Sequence, residues 1–180
     1  MCKLKLKITL ILSFFIIHGC QKTNKIENLN DFIYLETTIE NLIDGYKNGD
    51  IKAVEVIKEY IDRIKKIDMD GPNLRSIIQI NPDAVKIAFE LDNLLAKGEL
   101  KGPLHGVPVI LKDNIDTGDK MNTTAGSRAL INSKAVEDAF IVKKLRESGA
   151  VILGKANLSE WANFRGQNST SGWRGVNGQT

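Results

Sequence analysis

The stretch that organises this sequence is GPLHGVPVILKDN, residues 102–114. Its centre, residues 107–111, is a short apolar run that predicts a buried β-strand. Lys112 follows this strand directly. An ammonium group held against hydrocarbon loses hydration, so its neutral form is favoured and its pKa falls. A neutral lysine can act as a general base, although a lysine in this place can equally be the solvated end of a strand.

The predicted elements on either side of this stretch alternate between helix and strand. Two further apolar runs, residues 76–80 and 150–153, predict strands. Asp50 is a residue type that commonly caps helices, and its position predicts that it is the N-cap of the second helix. Lys155 is a second lysine that comes just after a predicted strand. Helical spacing of apolar side chains predicts helices over about residues 37–48, 50–67, 81–98, 137–148 and 157–164. Strand, helix, strand in this order indicates an α/β fold with parallel pairing.

Composition and charge exclude several classes of protein. Hydrophobic residues make up 42 % and charged residues 26 % of the chain, which is typical of a globular fold. The first 19 residues hold three lysines and no acid, so the rest carries 25 − 3 = 22 basic against 22 acidic residues. Such a balance gives no electrostatic surface for nucleic acid. Cys2 and Cys20 are the only cysteines, and no metal or cofactor motif is present, so we expect neither metal nor cofactor.

The first 20 residues have the pattern of an export signal. Three lysines precede an apolar segment, Ile8 to Ile17, which is too short to span a bilayer, since that takes about 20 apolar residues. Gly19 and Cys20 then resemble the end of a bacterial lipoprotein signal, in which the cysteine is lipidated. An ordinary cleaved signal and an uncleaved anchor are the alternatives. We expect an exported protein, lipid-anchored in the cell envelope on the periplasmic or extracellular face of the outer or plasma membrane.

Four blocks of sequence, in order, resemble the amidase signature family. The first is residues 102–114, and the second is the Thr-Ala-Gly-Ser turn at residues 124–127. The third, residues 139–155, resembles the family's helix and strand before its next motif. The fourth, GKANLSEWA at residues 154–162, departs mildly from the family pattern at Ala156 and Trp161. The resulting division is a signal peptide at 1–19, a lipidated cysteine and tether at 20–36, and the N-terminal part of an amidase domain at 37–180.

The resemblance implies both a fold and a reaction. The fold would be an amidase-signature α/β type, a mixed sheet sandwiched by helices, here truncated at its C-terminal side. The reaction would be hydrolysis of carbon–nitrogen amide bonds by a Ser–cis-Ser–Lys triad, acting on a small-molecule or peptide amide. Lys112 matches the catalytic lysine, whereas both serines would lie beyond Thr180. We therefore expect residues 1–180 to be inactive alone.

Five further positions are candidates for substrate binding. Ser127 and Asn157 are expected to brace the site, while Leu158, Ser159 and Glu160 are expected to line the acyl pocket. Helix capping is the alternative role for Asn157 and Ser159. His105, in a tight turn, is interpreted as structural.

Two other interpretations of the chain stay open at this point. One is a non-catalytic exported lipoprotein that uses the remnant scaffold for binding, and the other is a degraded gene without a stable product. The sequence does not identify the amide substrate or the oligomeric state.

Overall fold

The computed structural model describes residues 32–164, 166–168, 170–176 and 178. Cys20, the signal segment and most of the predicted tether therefore lie outside the described residues. The helices are α1 Ile39–Asn48, α2 Ala53–Arg63, α3 Ala84–Leu95 and α4 Phe140–Glu147, and the strands are β1 Ile77–Ile80, β2 Pro108–Lys112 and β3 Val151–Ala156. A π-helical segment, Ile64–Met69, continues α2, and short 3₁₀ segments cover Arg128–Leu130 and Glu160–Asn163.

The three strands form one mixed sheet in the order β1-β3-β2. β2 pairs with β3 in parallel, and α4 lies between them in sequence, as a parallel pair requires a crossover connection. β1 pairs with the other edge of β3 in the antiparallel direction. The predicted α/β class with a mixed sheet is thus confirmed. Parallel pairing holds for the pair β2–β3 alone among the described strands.

Alternate side chains of β3 enter two hydrophobic clusters on opposite faces of the sheet. Val151 and Leu153 pack with buried residues of α1, α2 and α3. Ile152, between them, packs with Leu111 of β2 and Val142 of α4. Each fully buried aliphatic side chain contributes about 1.5–3 kcal/mol relative to an exposed one. Helices therefore cover both faces of the sheet, and β3 is its central strand.

Close approach of β1 to β3 depends on Gly154. A Cβ atom at this position would lie 2.3 Å from the backbone carbonyl oxygen of Gln79 on β1. The register of both strand pairs shifts next to this residue, between Ile77 and Gln79 on one side and between Val109 and Ile110 on the other. A glycine here lets the two backbones meet where any side chain would separate them.

The prediction that Asp50 caps the second helix is wrong. Asp50 is exposed, and α2 begins only at Ala53. The carboxylate of Asp92, on α3, accepts hydrogen bonds from the backbone N–H groups of Ala53 and Val54 at 2.7 and 3.0 Å. The first turn of α2 is thus satisfied by a neighbouring helix, and the contact joins α2 to α3.

Of the predicted helix over residues 157–164, only the short 3₁₀ segment Glu160–Asn163 is found, and its backbone is irregular. Trp161, Ala162 and Asn163 have φ values of 52°, 52° and 72°, in the left-handed region. Non-glycine residues reach this region only where surrounding contacts impose it. The segment after β3 is therefore a short, tight 3₁₀ turn with left-handed residues and not a regular helix.

Removal of the Asp92 carboxylate should destabilise the fold. We expect Asp92→Ala to lower the free energy of unfolding by about 1–2 kcal/mol, because two N–H groups at a helix N-terminus lose their acceptor. Asp50→Ala is the matched control and should change it by less than about 0.5 kcal/mol. Urea denaturation of the full chain, followed by circular dichroism, measures both. Equal losses in the two variants would contradict the assignment of the cap.

Candidate active site at the ends of two parallel strands

Lys112 is the last residue of β2, and its Cα pairs with Ala156 near the end of β3. The parallel strands bring Lys112 beside the segment that holds four of the five predicted substrate-binding residues. The side chain of Lys112 is exposed, whereas Leu111 and Asp113 on either side are buried. The predicted contact of Lys112 with hydrocarbon is thus not found among the described residues, because its neighbours occupy the buried side of the strand.

Asp113 is buried at the point where β2 ends. Its carboxylate accepts a hydrogen bond from the hydroxyl of Thr124. Its backbone N–H donates to the carbonyl of Ala156, and its own carbonyl accepts from the N–H of Ala125, both at 3.1 Å. Burial raises the pKa of Asp113, while the Thr124 hydrogen bond and the charge of Lys155 oppose that rise. Asp113 therefore joins β2, β3 and the turn at residues 124–127.

Lys155, the second lysine predicted at a strand end, is 0 % exposed. Its Nζ donates to the carbonyl of Ile115 at 2.6 Å and to the hydroxyl of Thr123 at 3.2 Å. Burial lowers the pKa of Lys155, and the nearby carboxylates, Asp113 first among them, oppose that shift. The buried lysine of this site is thus Lys155 on β3, and its partners hold the loop that follows β2.

The turn at residues 124–127 is a junction of three segments. Ala125 and Gly126 have φ values of 48° and 75°, in the left-handed region. The carbonyl of Ala125 accepts from the N–H of Trp161 at 2.9 Å, and the carbonyl of Gly126 accepts from Gly175 at 3.0 Å. Ser127 is buried at the end of this turn. Ser127, which was predicted to brace the site, therefore lies in the turn that contacts Asp113.

The other predicted substrate-binding residues follow β3 directly. Asn157 donates from its backbone N–H to Ser76 and from its side chain to the carbonyl of Arg75, both at 2.7 Å. Leu158 is buried. The hydroxyl of Ser159 accepts from the N–H of Gly172 at 2.7 Å, and the backbone N–H of Glu160 donates to Trp173 at 3.0 Å. The side chain of Ser159 makes no capping hydrogen bond to the 3₁₀ segment that follows it. Helix capping, the alternative role for Ser159, is therefore not found.

His105 lies in the turn before β2 and is fully buried. Its Nδ1 accepts a hydrogen bond from the backbone N–H of Lys101 at 3.0 Å. Burial lowers the pKa of His105, which favours the neutral imidazole. These contacts support the structural interpretation of this histidine.

An ion-pair cluster that the sequence did not reveal holds the loop after β2. Arg146 on α4 contacts Asp119 at 2.6 Å and Asp138 at 3.0 Å. Asp119 also accepts from the backbone N–H of Met121, and Asp138 from that of Gly118. Asp138 and Asp119 precede Arg146 by 8 and 27 residues in the sequence. Such spacings form no local pattern, so only the folded chain shows this cluster.

A cavity of 510 Å³ opens in the loop region that follows β2. Its lining begins with Asn114, which is two residues after Lys112 in the sequence. Its lining combines polar side chains with two aromatic rings and consists of Asn114, Asp116, Thr123, Ala125, Leu130, Ser133, Trp161, Ala162 and Phe164. Such mixed lining suits a small organic ligand with a polar group.

The described residues contain neither a group of metal-binding side chains nor a membrane-spanning helix. Within residues 32–164 and the short described segments after them, no three or more His, Cys, Asp or Glu side chains are arranged to hold a metal ion. No helix of the described part is long and apolar enough to cross a bilayer.

Comparison with known proteins gives consistent matches. The Amidase family model matches residues 55–177. A putative amidase of Arthroderma benhamiae is 45 % identical over 149 residues, covering 83 % of this chain and 24 % of its own length. A probable amidase of Arabidopsis thaliana is 44 % identical over 178 residues, and the match covers 96 % of this chain and 34 % of the relative. The native peptide amidase of Stenotrophomonas maltophilia superposes with a TM-score of 0.79 at 48 % identity, and the match covers 83 % of this chain and 30 % of the peptide amidase. The chain thus spans a quarter to a third of these relatives.

Proposed function

Because this chain belongs to the amidase family, we propose that it forms the lysine-bearing part of a hydrolase of carbon–nitrogen amide bonds. The observation that carries the proposal is the place of Lys112, at the end of β2 beside the buried Asp113 and the turn at residues 124–127. Strand ends and the loops after them are where α/β proteins assemble their sites. The rest of the site would be supplied by the part of the domain that these relatives have and this chain does not cover.

In the proposed reaction Lys112 is the proton acceptor of a Ser–cis-Ser–Lys triad. Its neutral Nζ takes a proton from the bridging serine, which takes one from the nucleophilic serine. That serine attacks the amide carbonyl, and the C–N bond breaks as the leaving nitrogen receives a proton. Water then releases the acyl group as a carboxylic acid. Both serines would come from residues after Thr180, together with the N–H groups that stabilise the oxyanion.

The described residues leave the side chain of Lys112 exposed. We propose that the remaining part of the domain covers it and removes its water. The substrate would be a small-molecule or peptide amide, a choice that the likeness to a peptide amidase supports. Five residues remain the proposed substrate-binding residues. Four of them directly follow β3, whose last residue pairs with Lys112, and the fifth lies in the turn that contacts Asp113; they are Asn157, Leu158, Ser159, Glu160 and Ser127.

A chimera tests this function. The aligned part of the S. maltophilia peptide amidase would be replaced by the aligned residues of this chain, and ammonia release from a peptide amide would be measured. We expect the chimera to turn over and residues 1–180 alone to give no turnover above background, because only the chimera contains the serines. Turnover by residues 1–180 alone would contradict the proposed triad.

We also propose export and lipid anchoring through Cys20. The support is the run of lysines, the short apolar segment and the Gly19–Cys20 pair that ends it. Several acyl chains on one cysteine would anchor the chain stably, whereas a single chain binds a membrane only marginally.

The two cysteines of the chain give a matched test of this anchor. When the full chain is expressed in bacteria fed labelled palmitate, we expect Cys20→Ala to abolish labelling and membrane association. Cys2→Ala should leave both unchanged, because Cys2 would be removed with the signal. Equal labelling of the Cys20→Ala variant and the native chain would contradict the anchor.

A further inference from the structure

We propose that Asp113 is a positioning residue for Lys112, acting through the Thr124 hydroxyl to fix the end of β2. The inference rests on the proposed function, since it assumes that Lys112 is the base. It assigns to Asp113 and Thr124 a role in the geometry of the reaction in addition to their part in folding.

The contacts of Asp113 hold its backbone on two sides. Its N–H donates to Ala156 at the end of β3, and its carbonyl accepts from Ala125 in the facing turn. Lys112 is the preceding residue, and its own carbonyl accepts from Ile115 at 3.0 Å. The Cα of Lys112 therefore has little freedom while Asp113 keeps these partners.

The side chain of Asp113 adds a third point of attachment. Thr124 donates its hydroxyl hydrogen to the carboxylate, and the same hydroxyl oxygen accepts from the N–H of Gly126 at 3.1 Å. Thr124 thus links the carboxylate to the backbone of the turn. Among the described residues, loss of this hydroxyl would leave only the backbone hydrogen bond from Ala125 to Asp113 between the turn and the end of β2.

Buried charges explain why an aspartate occupies this position. Lys155 is 0 % exposed and Arg174 is 1 % exposed, and both attract the carboxylate of Asp113. Neither forms a direct ion pair with Asp113 among the described residues. A buried cation is costly without an opposite charge nearby. The attraction of these two cations opposes the effect of burial, which raises the pKa of the Asp113 carboxyl.

Residues around the strand end alternate in burial, with Leu111 and Asp113 buried and Lys112 exposed between them. When Asp113 is held on the buried side of the strand, the side chain of Lys112 is therefore directed toward the exposed side. A shift of about 1 Å in a reacting group can cost of the order of 100-fold in rate. We expect loss of the anchor to lower kcat while substrate binding changes little.

The test uses Thr124→Val, with Thr117→Val as its matched control. Thr117 is also fully buried in the same loop, and its hydroxyl donates to a carboxylate, that of Asp119, at 3.1 Å. Thr124→Ser keeps the hydroxyl and serves as the rescue variant. Hydrogen–deuterium exchange of the full chain reports the mobility of residues 111–115, and kinetics of the chimera report kcat and KM.

We expect Thr124→Val to increase exchange over residues 111–115 and to lower kcat by about 10- to 100-fold with KM changed by less than about 3-fold. Thr124→Ser should restore both. Thr117→Val should increase exchange near residues 117–121 and leave kcat within about 3-fold of the unmodified chimera. Assays well below the melting temperature of each variant separate this effect from unfolding.

Two results would overturn the positioning role. One is a Thr124→Val variant that matches Thr117→Val in kcat and in exchange at the end of β2. The other is absence of protection at residues 111–115 in the unmodified chain. Failure of the proposed function is a different outcome, namely a chimera that keeps its activity when Lys112 itself is replaced.

Discussion

Replacement of Lys112 by alanine in the chimera is expected to lower kcat/KM by about 10²- to 10⁴-fold, the usual contribution of a general base. Folding should be unaffected, because the side chain of Lys112 is exposed in the described structure. Lys112→Arg is expected to be as inactive as Lys112→Ala. Arginine keeps the positive charge and the length, but its guanidinium does not lose a proton in proteins. This pair of variants separates proton transfer from simple charge stabilisation.

Lys120→Ala is the matched control for these variants. Lys120 is another exposed lysine of the same loop region and contacts Asp83 at 2.6 Å. Its loss should leave kcat/KM within about 2-fold, since an exposed ion pair contributes little. Activity in Lys112→Arg close to that of the unmodified chimera would show that the lysine does not accept the proton. Measured peptide-amide hydrolysis in all three variants decides the matter.

Asp113→Ala is expected to produce the largest loss of stability, about 1–3 kcal/mol, because the buried Thr124 hydroxyl loses its acceptor and two buried cations lose a nearby anion. Lys155 and Arg174 are both almost completely buried, so water cannot replace the lost carboxylate. Even complete domains have total stabilities of only about 5–15 kcal/mol, so a loss of this size is readily measured. Urea denaturation of the full chain measures the change.

A double variant shows whether the buried charges cause this loss. Asp113→Ala combined with Lys155→Met should recover part of the stability, because one of the stranded cations is then also removed. Asp116→Ala is the surface control and should cost less than about 0.5 kcal/mol, since Asp116 is exposed. If Asp113→Ala were as mild as Asp116→Ala, the electrostatic account of this site would be wrong.

The candidate site was only partly predictable from its residues. Residues 107–111 predicted the strand, and β2 spans Pro108–Lys112. The same local pattern, an apolar run followed by a lysine, marks Lys112 and Lys155 alike. The structure buries Lys155 and exposes Lys112, and local sequence does not distinguish them. The reason is that burial depends on what packs against each side of a strand, and those partners are distant in sequence.

The sequence by itself determined the α/β class, the order of strands and helices along the chain and the family blocks around Lys112. These follow from short-range features, namely apolar runs, helical spacing and residue types within a few positions. Only the tertiary structure decided that Asp92 caps α2 from 38 and 39 residues away and that β1 runs antiparallel. It also decided the left-handed turn at residues 161–163. Such features arise when distant backbone and side-chain groups meet, and they satisfy hydrogen bonds and charges that no local segment can satisfy alone.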